Sequence, residues 1–79
     1  KVSSLAKNGD FILSPMPGLV SNVIVAVGER VEKGSALMVL EAMKMEHIVH
    51  APRDCIIKKI LVNSGEQVNS DASLILLED

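Results

Sequence analysis

Few residues in this chain could do chemistry. Lys44 stands between Met43 and Met45, with Glu41 and Ala42 just ahead of it; His47 and His50 are the two imidazoles, and Cys55 is the one thiol. Two histidines at an odd spacing on a strand point to opposite faces and cannot share a metal ion. A single cysteine excludes an internal disulfide and a four-cysteine metal site, and a lone thiol in an apolar run reads as a small buried hydrophobe. The serines fall in turns, where a hydroxyl bonds nearby backbone. No nucleophile–base pair is apparent. The sequence therefore predicts a domain without catalytic or metal-ligating residues of its own, in which Lys44 is the group to explain.

The neighbours of Lys44 set it apart from other lysines. Ala42-Met43-Lys44-Met45 lies between two strand-like stretches that end and begin with Glu41 and Glu46, and reads as a hairpin tip. Tight hairpins favour Gly, Asn and Asp for backbone reasons. Here two large apolar side chains flank a cation instead. Apolar surface on an exposed turn signals contact with a partner, and the flexible, polarisable thioether suits surfaces that meet more than one.

The elements that position this tip come from an internal repeat. Residues 14–42 align without a gap on 51–79, with identities at Pro15/Pro52, Val25/Val62, Gly28/Gly65, Glu29/Glu66, Val31/Val68, Leu37/Leu74, Leu40/Leu77 and Glu41/Glu78. Conservative pairs such as Val20/Ile57, Val23/Ile60 and Met38/Ile75 fall in the same register. Two copies are too few for a solenoid. Two units that cannot each bury an apolar face close on one another about a pseudo-two-fold axis. β-branched runs punctuated by Gly and Pro predict eight strands, at 10–13, 19–25, 30–32, 37–41, 46–50, 55–62, 67–69 and 74–78, and no helical periodicity is present. Turns are expected at Pro15–Gly18, where glycine allows positive φ, at Gly28-Glu29, Lys33-Gly34, Ser64-Gly65 and near Ser70-Asp71. The fold class is all-β: a flattened barrel or sandwich of two four-stranded antiparallel sheets. The first copy ends in the Lys44 hairpin and the second at the end of the chain, so the two-fold places Lys44 at the opposite pole from both termini.

Composition agrees with a single small domain. Of the 79 residues 48% are hydrophobic, yet the one aromatic is Phe11, so the core must be aliphatic and no platform for stacking bases exists. The net charge of −2 is made of mixed signs, which leaves phosphate-backbone binding unsupported. No apolar run is long enough to span a membrane. With Lys1 rather than Met at its start, the chain reads as a segment of a larger soluble, intracellular protein.

Glu41-Ala42-Met43-Lys44-Met45-Glu46 resembles the biotinylation motif of biotin-carrier domains from biotin-dependent carboxylases. Ser14-Pro15-Met16-Pro17-Gly18 is similar to that family's Pro-Met-Pro-Gly segment. Val27-Gly28-Glu29-Arg30-Val31-Glu32-Lys33-Gly34 is similar to its glycine turn, and Ala51-Pro52-Arg53-Asp54 to the start of its second half. The likeness covers residues 11–78 and implies the fold already reached from the repeat. It implies biotin as cofactor, joined by a biotin protein ligase to the Lys44 amine, with Met43, Met45, Ala42 and Glu41 around it. It implies as partners a biotin carboxylase, which loads carboxylate using ATP and bicarbonate, and a carboxyltransferase, which delivers it to an acyl-CoA. Met43-Lys44-Met45-Glu46-His47 is most similar to methylcrotonyl-CoA carboxylase α subunits. Residues 1–9 are then a flexible linker and 10–79 the carrier domain, in the mitochondrial matrix of a eukaryote or the cytoplasm of a bacterium. The nearest alternative is a lipoyl domain of a 2-oxo-acid dehydrogenase, against which the two methionines argue. For Glu41 a structural role and recognition by the ligase stand equal, because its repeat partner Glu78 has no hairpin after it.

Overall fold

A computed structural model describes residues 10–78, so the expected linker 1–9 lies outside the described residues. Eight strands form: β1 (Phe11–Leu13), β2 (Gly18–Val23), β3 (Arg30–Val31), β4 (Ala36–Ala42), β5 (Met45–His50), β6 (Cys55–Ile60), β7 (Gln67–Val68) and β8 (Ser73–Glu78). No helix occurs among the described residues. Two four-stranded sheets, ordered β1-β8-β6-β3 and β5-β4-β2-β7, pack face to face, and every strand pairing is antiparallel.

The two orders are the same order under the repeat: β1, β8, β6 and β3 of one sheet are the copies of β5, β4, β2 and β7 of the other. Details follow the pseudo-two-fold as well. The N–H of Gly28 donates to the carbonyl of Ile57, and that of Gly65 to the carbonyl of Val20. The Glu29 carboxylate accepts from the N–H of Ala26, and Glu66 from that of Asn63. Each glutamate thus caps its own turn, which gives the repeated Gly-Glu pair a structural purpose. Gly28, Gly34 and Gly65 all have φ near +90°, and Asp71, the repeat partner of Gly34, has φ of 67°.

The core is aliphatic. Val20, Leu37, Met38, Leu40, Ile57, Leu74 and Ile75 are fully buried, whereas Phe11 lies partly exposed at the surface. Two residues in succession, Leu37 and Met38, point inward although strand side chains alternate. The cause is a bulge: Ala36 pairs with His50 and Met38 with Val49, so Leu37 has no cross-strand mate. Leu74 is skipped in the same way between Ser73 and Ile75. A second bulge pair works outward. Ser21 lies between Val20 and Asn22 in the register with β4, and Lys58 between Ile57 and Lys59 in that with β8; all four flanking and skipped positions 21, 22, 58 and 59 are exposed.

Strands β2 and β6 end sooner than expected, at Val23 and Ile60 rather than Val25 and Val62. The N–H groups of Ile24 and Leu61 make one last bond, to Leu37 and Leu74, and the chain then leaves the sheet. Val25 and Val62 remain buried, plugging the core from the loops.

The ends of the described chain meet. Phe11 pairs with Leu76, and the carbonyl of Asp10 accepts from Leu77. The Asp10 carboxylate also holds Arg53 at 2.8 Å, linking the first described residue to the start of the second repeat.

Candidate functional site

The hairpin between β4 and β5 carries Lys44. Ala42 pairs with Met45, leaving Met43 and Lys44 as a two-residue turn with φ of 56° and 65°. Positive φ at both central residues is the type I′ geometry that matches the right-handed twist of paired strands. Neither residue is of a type that favours the left-handed region, which costs roughly 1–2 kcal/mol for each non-glycine residue. The surrounding ladder must hold this strain, and strain of this kind gathers at functional sites.

The hairpin projects Lys44, Met43 and Met45 into solvent; Met43 is 86% and Met45 61% exposed. Ala42, facing inward, is buried. Glu41 and Glu46 sit opposite one another across the β4–β5 ladder, both exposed. Like charges in that position oppose pairing rather than support it, so they surround the Lys44 cation with acid at some cost to the hairpin. Lys44 is exposed, and among the described residues no ion pair engages it, so its side chain is accessible to a partner from solvent. All five expected site residues therefore lie in one hairpin, four of them exposed and Ala42 beneath.

This hairpin lies at the pole opposite the ends of the described chain, Asp10 and Glu78. β2 begins beside it, with Gly18 and Leu19 set against Val68 and Glu41, and runs away from it. The chain leaving the far end of β2 pairs through β3 with the first residues of β6, which lie beside Glu78.

Gly18 supports the tip in a way the sequence did not suggest. It was expected to permit positive φ in a turn, but it is the first residue of β2 and its φ is not positive. What matters is the missing Cβ, which at this position would lie 2.9 Å from the carbonyl oxygen of Glu41 and 3.4 Å from Cβ of Ala42. Gly18→Ala must push backbone of the Lys44 hairpin aside. Overpacking of this sort costs about 1–3 kcal/mol, so the variant's thermal midpoint is expected to fall by at least several degrees; an unchanged melt would show that the hairpin yields freely.

Two further residues at this pole were missed. The pseudo-two-fold carries the Asp10–Arg53 ion pair onto His47 and Met16, so the pole where the described chain begins and ends has charges where the tip pole has an imidazole and a thioether. Nε2 of His47 is buried with no hydrogen-bond partner among the described residues. Met16 and Arg53 already face each other within the alignment of 14–42 on 51–79, and carrying it four residues further toward the start would have exposed the Asp10/His47 exchange as well. His50, on the opposite face as its odd spacing required, instead places Nδ1 3.0 Å from the carbonyl oxygen of Gly34. No group of three potential metal ligands occurs among the described residues, and Cys55 is buried and not in a disulfide.

A pseudo-symmetric barrel of two four-stranded sheets with an exposed lysine at the tip of the β4–β5 hairpin points to the biotinyl/lipoyl class of carrier domains. The sequence matches the family described as "Biotin-requiring enzyme" over residues 6–77. It is 46% identical to the mitochondrial methylcrotonoyl-CoA carboxylase subunit alpha of Rattus norvegicus over 85% of this chain, which spans only 9% of that protein. It is 40% identical to the biotin carboxyl carrier protein of acetyl-CoA carboxylase of Solanum lycopersicum, over 86% of this chain and 97% of that one. In structure it is similar to a single-chain, multi-domain long-chain acyl-CoA carboxylase, with a TM-score of 0.84 and 32% identity over 87% of this chain and 7% of that chain. The chain belongs to this family: it is a biotin carrier domain of the biotin-dependent carboxylases, a non-catalytic part whose cofactor is biotin.

Proposed function

We propose that Lys44 is the residue that carries biotin, and that the domain shuttles carboxyl groups from a biotin carboxylase site to a carboxyltransferase site acting on an acyl-CoA. The observation that carries this reading is the exposed lysine, unpaired among the described residues, on a strained turn at the pole remote from both ends of the described chain. A domain tethered at one pole by its parent, here through residues 1–9 leading into a carrier domain of 10–79, presents the other pole to successive active sites. Tethering raises the effective concentration of the cofactor at each site without dissociation.

The residues present fit the group. A biotin protein ligase would join the biotin carboxylate, activated by ATP with AMP as the leaving group, to Nζ of Lys44 as an amide, and the attached ring would supply a nitrogen that accepts and releases carboxylate. The chain's own part is to bind and orient. The I′ turn fixes where the lysine stem leaves the domain, Ala42 and Gly18 keep the hairpin close to β2, and Met43 and Met45 offer apolar contact to partner enzymes. Glu41 is a point of recognition for the ligase, since its carboxylate is exposed and enters no ion pair or hydrogen bond among the described residues. The sequence Met43-Lys44-Met45-Glu46-His47 and the likeness to methylcrotonoyl-CoA carboxylase alpha subunits favour a parent of that type, hence a ligase-class, ATP- and bicarbonate-dependent enzyme of the mitochondrial matrix in a eukaryote, or of the cytoplasm in a bacterium.

Intact mass spectrometry after incubation with biotin protein ligase, biotin and ATP tests the reading. One biotin per chain, mapped to Lys44, is expected. A chain that stays unmodified, or one isolated from its source bearing a lipoyl-sized adduct at Lys44, would overturn it.

A further inference from the structure

Sulfur in this domain is distributed unevenly. Cys55 is 4% exposed and Met38 is fully buried, and Met16 is half-buried. The two well-exposed sulfur side chains among the described residues are Met43 and Met45, at 86% and 61%, and they flank Lys44 directly. An oxidant that enters from solvent therefore meets these two thioethers first, because the only thiol is shielded.

We propose that Met43 and Met45 are a reversible oxidation site, at which a hydroperoxide converts the flanks of Lys44 to methionine sulfoxide and so weakens docking of the hairpin to its partner enzymes. In the step, the thioether sulfur attacks the distal peroxide oxygen. The O–O bond breaks, sulfur gains one oxygen and is oxidised by two electrons, and the peroxide leaves as water or an alcohol. Reduction by a methionine sulfoxide reductase returns the thioether at the expense of a dithiol, which becomes a disulfide, with release of water.

The consequence follows from what the two side chains offer. They are the apolar part of an otherwise acidic tip, set between Glu41 and Glu46. A sulfoxide is polar, and burying it in a contact built for a thioether leaves its oxygen without a partner, which is expected to slow partner turnover roughly tenfold. The strands are not threatened, since neither side chain packs in the core and the buried Met38 is not reached. The effect is thus confined to the site, as a switch requires.

This inference rests on the biotin-carrier reading of Lys44, and the experiment separates the two. Biotin contains a thioether of its own, so the 79-residue chain is oxidised with hydrogen peroxide before biotin is added. Peptide mapping is expected to find oxygen on Met43 and Met45 well before Met38, with an unchanged thermal melt. Treated and untreated chains are then given to biotin protein ligase, and the biotinylated products to a biotin carboxylase whose bicarbonate-dependent ATP turnover is followed. A roughly tenfold fall at either step, recovered after methionine sulfoxide reductases and dithiothreitol, supports the proposal. An oxidised chain that takes up biotin and supports turnover at the untreated rate overturns it, as does equal oxidation of Met38 or a loss the reductases do not recover. The double variant Met43→Leu/Met45→Leu, compared with its own untreated rate, should show no further fall with peroxide; a fall there assigns the effect to another residue and also overturns it. An untreated chain that takes up no biotin sinks the carrier reading instead.

Discussion

Lys44→Arg is expected to abolish biotin incorporation completely while leaving the barrel folded. Arginine keeps the charge and most of the length, but its delocalised guanidinium stays protonated and offers no free amine to acylate. The fold has little stake in the exchange. Lys44 is exposed and, among the described residues, engages no carboxylate, and both residues bear a similar cost in the left-handed region. A change in stability within about 0.5 kcal/mol is expected, as for an ordinary surface substitution. The experiment discriminates because Lys33, Lys58 and Lys59 are exposed too. Exposure alone cannot select a lysine, so the hairpin must. Lys33 sits in a turn whose backbone N–H is bound by Asp54, and the other two lie on β6 where its outward bulge displays them. None is flanked by apolar side chains on an isolated tip. Biotin appearing on one of these in Lys44→Arg, by intact mass and peptide mapping, would show that the ligase reads something other than the tip.

Much of this architecture was legible because the chain states it twice. A lone amphipathic strand leaves its partner unspecified, but two copies that each need a cover leave one economical closure. The matched pairs Val20/Ile57 and Leu40/Leu77 indicated which faces meet. The hairpin stood out as the segment without a second copy. What could not be read is what depends on contacts between backbones. Adjacent apolar residues such as Leu37-Met38 look the same in a regular strand with one side chain outward as in a bulge with both inward. Only the pairing of Ala36 and Met38 with consecutive residues of β5 decides it. Gly18 was misread for a related reason. Glycine is retained either for positive φ or for close approach, and the sequence does not show that the carbonyl of Glu41 comes so near. Val25 and Val62 extended the strands on paper because β-branched residues fit both a strand and a core plug.

The bulges also make the pseudo-two-fold a quantitative matter, through the substitutions Leu37→Ala and Leu74→Ala. Both leucines are the skipped residue of an inward bulge, and both are fully buried. Removing such a side chain forfeits its transfer energy and leaves a cavity that a locally locked backbone cannot collapse to fill. The cost is expected to be about 3–5 kcal/mol. Natural domains hold roughly 0.05–0.15 kcal/mol per residue, about 4–12 kcal/mol for a chain of 79 residues. Either change thus removes a large share of the total and can leave the domain partly unfolded at 37 °C. The repeat sharpens this. If the two copies are equivalent in energy as well as in trace, urea unfolding should give costs for Leu37→Ala and Leu74→Ala that agree within about 1 kcal/mol, the scatter that context imposes on a fixed change. Their surroundings differ in one respect that could break the tie: Leu37 lies in β4, the strand that runs into the strained turn, whereas Leu74 lies in β8, which no such turn follows among the described residues. A larger cost at Leu37 would mean that the first copy is the more tightly braced of the two, with the bulge acting as part of what holds Met43 and Lys44 at positive φ. A cost below about 1 kcal/mol at both sites would instead show that the barrel relaxes into the space, and that bulge packing is not what keeps the hairpin upright.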